Sequence, residues 1–335
     1  MSDHQHHSHS HAIDIHAHYF GQTYLDLLNE QAARYGTEYR KDGKGWYFKS
    51  PIAHQGPLPE KFIDIKQRVA EMDATGVGVH ALSLTAPMVY WAEPDFSLKL
   101  SRAWNDDAVA AAKAYPDRFV VLATLPMLDA ERSIDELDRV AKIPSVRGVY
   151  MGTNINGRDL DDPLFDPIFA CIDKHGLPVF LHPQQVIGGE RLRKFYLNNF
   201  LGNPFDSAVA ACRLIFGGVL DKYPNLQFNL PHAGGALPGL IGRIDHGWKV
   251  RTETKHLANA PSTYLRRFTY DTISHSAPTL KFVISMVGAD RVMIGSDYCF
   301  DMGYERPLSI LDEAGLSDAD RKLIMGGNAA RLLKM

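Results

Sequence analysis

The stretch AIDIHAH, residues 12–18, is a short apolar run that ends in two histidines. Its apolar residues predict a β-strand, which Asp14 interrupts. Because side chains two residues apart on a strand point to the same face, His16 and His18 can aim both imidazoles at one point. A metal ion is the obvious occupant of such a point, and the rest of the chain would have to supply the other ligands.

Seven further strand-like runs follow, and segments with helical patterns separate them. Their predicted ranges are 77–84, 118–126, 146–152, 178–183, 227–232, 268–272 and 292–297. Repeated strand–helix units favour a parallel sheet with right-handed crossovers. Eight such units predict an α/β fold of the closed (β/α)8 type, a TIM barrel, with C-terminal helices after the last strand.

The sequence predicts a single barrel domain over residues 12–335, preceded by a His-rich tail over residues 1–11. The composition, 45% hydrophobic and 22% charged, is ordinary for a globular protein. Residues 20–60 are polar and aromatic and contain the turn KDGKG, so we expect an insertion or lid there. The tail is expected to be disordered, in the manner of an affinity tag, and the alternative is a metal-scavenging arm.

Charge and cysteine content exclude several classes of partner and compartment. A net charge of -3 gives no electrostatic reason to bind nucleic acid or an anionic membrane. No apolar run approaches the roughly 20 residues that span a bilayer, and the N-terminus lacks the apolar core of a signal peptide. The three cysteines, Cys171, Cys212 and Cys299, form no CxxC pair, which favours a reducing, cytoplasmic location.

The carboxyl ends of the predicted strands carry further metal-competent side chains. In barrels of this type the active site lies at that rim. Besides His16 and His18, predicted strand 5 ends at His182, strand 6 at His232 and strand 8 at Asp297. Each of these alone is more typical of a structural histidine or a helix N-cap. Their joint occurrence at one rim favours a metal site.

The chain resembles the amidohydrolase superfamily (amidohydrolase-related, family 2), in the branch of metal-dependent decarboxylases that includes the aminocarboxymuconate semialdehyde decarboxylases. The motifs that carry the resemblance span nearly the whole chain after residue 11. They include IDIHAH, EMDATGV, YPDRFVVLATLPM, LPVFLHP, NLPHAGG, DRVMIGSDY and GNAARLL. The related resorcylate decarboxylases have a glutamate at the position of His16, which separates this chain from them.

The resemblance implies that His16, His18, His182 and Asp297 ligate one divalent cation. Three imidazoles and a carboxylate suit Zn²⁺, with Mn²⁺ as the alternative. Binuclear relatives use a lysine on strand 4, and that predicted strand has none here, so we expect one metal ion per subunit. Asp271 and His275 lie near the same rim and are candidates for hydrogen-bond partners of the ligands.

By the same resemblance His232 is the general acid/base of the site, and Asp297 counts as both ligand and catalytic residue. Histidine suits that role because it titrates near neutral pH. The leading hypothesis is a non-oxidative decarboxylase of a small unsaturated or aromatic carboxylic acid. The alternatives are a hydrolase of a lactone, amide or ring carbonyl at the same site, a hydratase, and an inactive barrel that only binds.

The resemblance also implies that Arg243 reaches into a neighbouring subunit and binds a substrate carboxylate, which requires a homodimer. A planar guanidinium can pair with a carboxylate through two hydrogen bonds. A second arginine that the relatives carry after a KDGK-like turn is absent, which favours a substrate with one carboxylate and a flat, aromatic body. The aromatic residues expected to line its pocket are Trp46, Tyr47, Trp91 and Phe300.

Overall fold

Eight parallel strands form one sheet in the computed structural model, which describes residues 12–36, 38–49 and 54–335. The strands neighbour one another in chain order. They are β1 Ala12–His18, β2 Val77–Ser83, β3 Phe119–Ala123, β4 Val146–Gly152, β5 Val179–His182, β6 Phe228–Leu230, β7 Phe268–Asp271 and β8 Val292–Met293. The predicted (β/α)8 barrel is confirmed. The predicted His-rich tail, residues 1–11, lies outside the described residues.

Hydrogen bonds between β1 and the chain that follows β8 close the barrel. The N–H of Ile15 donates to the carbonyl of Ile294 at 2.9 Å, and the N–H of Asp297 donates to the carbonyl of His16 at 2.9 Å. The strand predicted over 292–297 is shorter in the structure because β8 ends at Met293. Asp297 has a φ of 59°, a left-handed conformation that an extended strand cannot include.

Asp14, the residue that interrupts the apolar pattern of β1, is buried at this closure. Its Oδ1 accepts the N–H of His16 at 2.9 Å and the N–H of Ser296 at 3.1 Å. Burial raises the pKa of Asp14 to about 6. The carboxyl group therefore joins β1 to the segment after β8, at the rim where the histidines lie.

Twelve α-helices accompany the strands in the described part of the chain. Asp129 caps α4 by accepting the N–H of Arg132, and Gly76 ends α2 with a φ of 75°. The helices are α1 Gln22–Gln31, α2 Ile65–Thr75, α3 Pro94–Ala114, α4 Ala130–Val140, α5 Asp166–His175, α6 Asn203–Phe216, α7 Val219–Lys222, α8 Leu237–Val250, α9 Ala277–Val287, α10 Ser309–Glu313, α11 Asp318–Lys322 and α12 Asn328–Leu333. None of them is long and apolar enough to cross a membrane.

The predicted insertion between β1 and β2 contains α1 and a small antiparallel sheet. Its three strands are Glu38–Asp42, Gly45–Lys49 and His54–Leu58. Phe48 points into the core and is 3% exposed, whereas Lys49 beside it is exposed, as expected from alternation along a strand. The role of this segment as a lid stays a prediction.

The barrel strands are buried along nearly their whole length, as is typical of a parallel sheet covered by helices. All seven residues of β1 are buried, and three of them are titratable. Buried charged groups are costly unless they are paired or bind a metal ion. The carboxyl end of β1 is therefore the place in the core where a functional site is expected.

Candidate metal centre

Four side chains converge at the carboxyl ends of β1 and β5 and in the segment after β8. The ligand atoms of His16, His18, His182 and Asp297 all lie within 4.8 Å of one another, and each residue is less than a tenth exposed. His18 Nε2 lies 2.9 Å from Asp297 Oδ1, and His16 Nε2 lies 3.5 Å from the same oxygen. The barrel thus brings together the four residues that the sequence analysis expects to be ligands.

Hydrogen bonds at the outer ring nitrogens orient the three imidazoles. His16 Nδ1 lies 2.9 Å from Asp271 Oδ2, and His182 Nδ1 lies 3.2 Å from the carbonyl oxygen of the following residue. A carboxylate and a carbonyl only accept hydrogen bonds, so both Nδ1 atoms carry protons. Ser83 Oγ donates to the carbonyl oxygen of Ala17 at 3.4 Å and lies 3.2 Å from His18 Nδ1, so it can accept a hydrogen bond from this ring. All three Nε2 atoms are therefore directed into the cluster.

The contact between two of these inner nitrogens tests whether a cation fits. His16 Nε2 and His18 Nε2 are 3.2 Å apart. Two neutral imidazoles in this arrangement would oppose their lone pairs, so the contact is favourable only with a proton or a metal ion between them. Three nitrogens and one carboxylate oxygen are a donor set that divalent transition metals accept. The residues present fit a single divalent metal ion.

Burial and neighbouring charges set the protonation of the cluster. Burial lowers the pKa of His18 to about 4 and holds the pKa of His182 well below its ordinary value. Burial opposes ionisation of Asp297, but its hydrogen bond with His18 holds the pKa of that carboxyl well below its usual range. These three groups are therefore in the forms that bind metal ions at neutral pH.

His16 differs from the other two histidines because it faces two carboxylates. Burial disfavours its charged form, but the hydrogen bond to Asp271 and the charge of Asp297 raise the pKa of His16. A positive charge at His16 Nε2 is thus stabilised by the surroundings. A divalent cation would take the place of that proton and make the same favourable contacts.

Asp271 connects the cluster to the loop that carries His232. This fully buried carboxylate accepts hydrogen bonds from the ring of His16 and from the backbone N–H groups of His232 at 3.0 Å, Ala233 at 2.8 Å and Ile273 at 3.0 Å. Burial alone would raise the pKa of Asp271, but the hydrogen bond to His16 leads the contacts that lower it. One carboxylate therefore orients a ligand and holds a loop.

His232 lies beside the four-residue cluster and outside it. Its Nε2 is 3.9 Å from Asp297 Oδ2, and its ring centroid is 5.4 Å from that of His16. His232 and Ala233 have φ values of 54° and 55°, which are unfavourable for residues other than glycine. The N–H bonds to Asp271 stabilise this conformation. The structure thus holds His232 near the cluster without making it a member.

Two adjoining cavities open from the cluster. One, of about 380 Å³, is lined by residues that include His232, His275, Asn199 and Phe282. The other, of about 710 Å³, is lined by residues that include His182, Gln184, Asn198, Asn199, Asn203 and Phe300. Asp297 lines both. No lysine or arginine of the described chain lines either cavity, and the larger cavity contains the carboxylate of Glu190 beside its neutral amides.

The predicted aromatic lining is only partly assembled within one chain. Phe300 lines the larger cavity, and its ring lies 5.4 Å from that of His18. Trp46 stacks on a tyrosine of the neighbouring strand at 5.4 Å, and Tyr47 lies under an arginine at 3.8 Å. Trp91 packs against other aromatic side chains. The structure does not bring Trp46, Tyr47 or Trp91 to either cavity, so their substrate contacts stay predictions.

Arg243 and the cavity amides show the limits of reading the site from the sequence. Arg243 is exposed on α8 and lines neither cavity of its own chain. Gln184, Asn199 and Asn203 line the larger cavity and were not expected there from the sequence. Gln184 follows the predicted ligand His182 by two residues, and that proximity was a usable signal. The two asparagines come from a π-helical turn, Asn198–Gly202, and from the start of α6, for which the sequence offers no signal.

Comparison with known proteins places the chain among amidohydrolases. It matches the amidohydrolase family over residues 13–335. It is 35% identical over 271 residues to a 2-amino-3-carboxymuconate-6-semialdehyde decarboxylase of Dictyostelium discoideum, which covers 79% of this chain and 75% of that relative. It is 31% identical over 300 residues to a gamma-resorcylate decarboxylase of Polaromonas, which covers 83% of this chain and 90% of that relative.

A solved structure supports the same likeness. The 5-carboxyvanillate decarboxylase of Novosphingobium aromaticivorans, complexed with manganese and 4-hydroxy-3-methoxy-5-nitrobenzoic acid, aligns with a TM-score of 0.82 and 25% identity. The alignment covers 97% of this chain and 96% of that chain. The structural similarity extends over the whole barrel and is not confined to the four candidate metal ligands.

Proposed function

The chain belongs to the amidohydrolase family, and from this premise we propose that it is a metal-dependent, non-oxidative decarboxylase of a small unsaturated or aromatic carboxylic acid. The observation that carries the proposal is the convergence of His16, His18, His182 and Asp297, with His232 beside them at a cavity. The relatives named above are decarboxylases. Fold likeness alone would not select a reaction.

We propose Zn²⁺ as the resident ion, with Mn²⁺ as the alternative. Three imidazoles and one carboxylate are a common donor set for Zn²⁺. The manganese in the related carboxyvanillate decarboxylase supports the alternative. When bound, the ion would act as a Lewis acid that holds an oxygen of the substrate and orients the reacting carbon.

His232 is the residue we propose to handle the proton. In the reaction a C–H bond forms at the carbon that bears the carboxylate, the C–C bond to that carboxylate breaks, and its electron pair restores the unsaturated system. His232 Nε2 donates the proton that forms the C–H bond. Asp297 Oδ2 lies 3.9 Å from this nitrogen, and the hydrogen bonds of Asp271 hold the loop that carries the ring.

The cavity lining supports a substrate with one carboxylate and neutral polar substituents. With no cationic side chain among the described lining residues, a second carboxylate would lack a partner within the chain. Gln184 is 8% exposed, and its amide nitrogen has no hydrogen-bond partner among the described residues. A hydroxyl or similar oxygen on the substrate would satisfy that donor. Phe300 would pack against a flat ring.

A homodimer in which Arg243 reaches the partner's site is a further part of the proposal. Arg243 is exposed and lies one helical turn from Leu240 on α8, which is 39% exposed. Phe195 and Phe200 in the loop before α6 are 82% and 49% exposed, and Phe200 also lines the smaller cavity. Exposed aromatic residues next to a site opening are typical of an interface.

We also propose a cytoplasmic location. Cys171, Cys212 and Cys299 are all free, which is usual in reducing compartments. Detection of the protein in a fractionated cell extract would test this part separately from the chemistry.

The test is CO₂ release by protein loaded with Zn²⁺ or Mn²⁺. The panel contains hydroxy- and amino-substituted aromatic acids and muconate-type acids, and the metal-free protein is the control. We expect metal-dependent release from at least one member of the panel. If the metal is bound, the fold is intact and no acid releases CO₂, the decarboxylase proposal fails.

Solvent labelled with oxygen-18 would then identify the chemistry that replaces it. Hydrolysis must place a solvent oxygen in the product, whereas decarboxylation forms a C–H bond and adds no oxygen to the organic product. Lactones and cyclic amides would be the substrates for that experiment.

A further inference from the structure

A second group of metal-competent side chains lies outside the barrel, between α4 and α5. Asp138 belongs to α4, and Cys171 and His175 belong to α5. Their ligand atoms all lie within 4.8 Å of one another. The group shares no residue with the cluster at the strand ends, and the proposed decarboxylation makes no use of it.

The helix geometry holds these three side chains together. Cys171 and His175 are four residues apart on α5, a spacing that places two side chains on the same face of a helix. His175 Nε2 lies 2.6 Å from Asp138 Oδ1, and Cys171 Sγ lies 3.8 Å from the same oxygen. Tetrahedral bonds of about 2.0 to 2.3 Å separate ligand atoms by roughly 3.3 to 3.8 Å, so only a small opening would admit an ion.

The exposure of the group allows an ion to enter from solvent. Cys171 is 8% exposed, whereas the side chains of His175 and Asp138 are 23% and 44% exposed. The buried thiol therefore lies beneath two partly open ligands. A water molecule can take a fourth position on the solvent side.

The chemistry of the thiol argues against a nucleophilic role. Burial, helped by the nearby charge of Asp138, raises the pKa of the Cys171 thiol above its usual value. The free thiol is therefore protonated at neutral pH and is a poor nucleophile. A bound metal ion, by contrast, displaces a thiol proton and is held by the resulting thiolate.

We propose that Asp138, Cys171 and His175 bind a second divalent transition-metal ion, of the class that includes Zn²⁺, Co²⁺ and Cd²⁺. Thiolate and imidazole ligands select these ions over Mg²⁺ and Ca²⁺, which prefer oxygen ligands. Because the ligands come from two helices, the bound ion ties α4 to α5. The site acts on stability and leaves the proposed catalytic chemistry unchanged.

Titration of the full-length protein with Co²⁺ tests the proposal. Cobalt bound to a thiolate gives a charge-transfer absorption in the near ultraviolet, and cobalt bound only to imidazole and carboxylate does not. We expect one equivalent per chain with this absorption, in addition to a thiolate-free equivalent at His16, His18, His182 and Asp297. The His-rich N-terminus contains no cysteine, so cobalt bound there adds no such absorption.

Substitutions assign the thiolate to its residue. Cys171→Ser and His175→Ala are each expected to lose the charge-transfer absorption and one equivalent of tight binding. Cys212→Ser, which removes a free cysteine from α6, is the matched control and should retain both. His175 is partly exposed, so we expect His175→Ala to fold. It tests the site if Cys171→Ser folds poorly.

Two outcomes would overturn the second site. One is the absence of thiolate-to-cobalt absorption in the unsubstituted protein with Co²⁺ in excess. The other is an unchanged absorption in a folded Cys171→Ser protein, which would move the thiolate ligand to Cys212 or Cys299. Neither outcome bears on CO₂ release, so failure here is distinct from failure of the decarboxylase proposal.

Discussion

Asp271 accepts four hydrogen bonds at the site, one from the ring of His16 and three from backbone N–H groups. One of its oxygens accepts from both the ring and the loop, bonding His16 Nδ1 at 2.9 Å and the N–H of His232 at 3.0 Å. Partners of metal-bound histidines typically fix the ring orientation and raise the basicity of the ligand. At the residue scale, the site therefore depends on a side chain that touches neither metal nor substrate.

Replacing Asp271 with asparagine is expected to weaken metal binding by about 10- to 100-fold, the usual effect of losing such a partner. The amide presents N–H groups where the carboxylate accepted hydrogen bonds. The measurement is the dissociation constant for Zn²⁺ by competition with a chelator. Glu136→Gln is the matched control, because Glu136 is a fully buried carboxylate that bonds Arg102 and Arg139 away from the cluster. Equal affinities in both variants would contradict the role of Asp271.

His232→Ala separates the acid/base role from ligation. Because His232 lies outside the four-residue cluster, we expect the variant to keep the metal ion of that cluster and to lose activity by about 100-fold or more. The measurements are metal content and the rate of CO₂ release with the best acid of the panel. Loss of the metal ion in the folded variant would make His232 a ligand and refute the assignment.

Gln184→Met tests recognition by the unpartnered amide. The substitution keeps the length of the side chain and removes the donor, so we expect KM to rise by about two- to tenfold with a smaller change in kcat. Gln185→Met is the matched control, because Gln185 lines the same cavity but its amide already donates to Asn156 at 3.2 Å. An unchanged KM for Gln184→Met would show that this amide does not contact the substrate.

At the scale of elements, β1 and β7 come very close to the backbone of Gly295, which follows β8. A Cβ added to Gly295 would lie 2.8 Å from the Cβ of Asp271 and 3.1 Å from the Cβ of His16. Real side chains do not pack at such distances without displacing a neighbour. Because Gly295 has no side chain, His16 of β1 and Asp271 of β7 can come within hydrogen-bond distance of each other.

Gly295→Ala is accordingly expected to lower both thermal stability and Zn²⁺ affinity, since the added methyl group pushes His16 and Asp271 apart. Gly247→Ala on α8 is the control, because a Cβ there meets nothing within 4 Å. Alanine in a helix interior stabilises by roughly 0.5–1 kcal/mol relative to glycine, so that control should melt slightly higher. Normal Zn²⁺ affinity in the Gly295→Ala protein would show that a methyl group fits at this position without moving His16 or Asp271.

At the scale of the whole molecule, part of the exposed apolar surface lies beside the cavities. Phe200 contributes to both, and α8 carries Leu240 and Arg243 beside the smaller cavity. The described cavity lining offers no cation for a substrate carboxylate, so an arginine from a partner would complete it. Activity should therefore depend on the association of two subunits.

Mixing Arg243→Ala protein with His232→Ala protein makes that test. Each variant alone should be nearly inactive, but a hybrid dimer has one site with both residues. Random exchange in a two-fold dimer predicts recovery of about one quarter of the unsubstituted activity. The Arg243→Ala protein mixed with the double variant is the control and should recover nothing. If subunits exchange and no activity returns, Arg243 does not act across an interface.

Much of the architecture was readable from the order of residues along the chain. Strand and helix periodicity predicted eight units and the approximate bounds of the strands. The last strand was predicted too long, because φ at Asp297 is a local property that composition does not report. Trp46, Tyr47 and Trp91 have the right chemistry for a substrate pocket, but the fold packs them against other aromatic side chains.

The sequence by itself determined the barrel and the residue types at its rim, because the parallel βα repeat sends the carboxyl end of each strand to one side. The four ligand candidates could thus be expected to meet, although His16 and Asp297 are 281 positions apart in the chain. Only the tertiary structure decided which nitrogen of each imidazole faces inward, that Asp271 joins a metal ligand of β1 to a loop, and that Asp138 lies beside Cys171. Those facts depend on distances of a few ångströms between helices and strands, and such distances are set by packing.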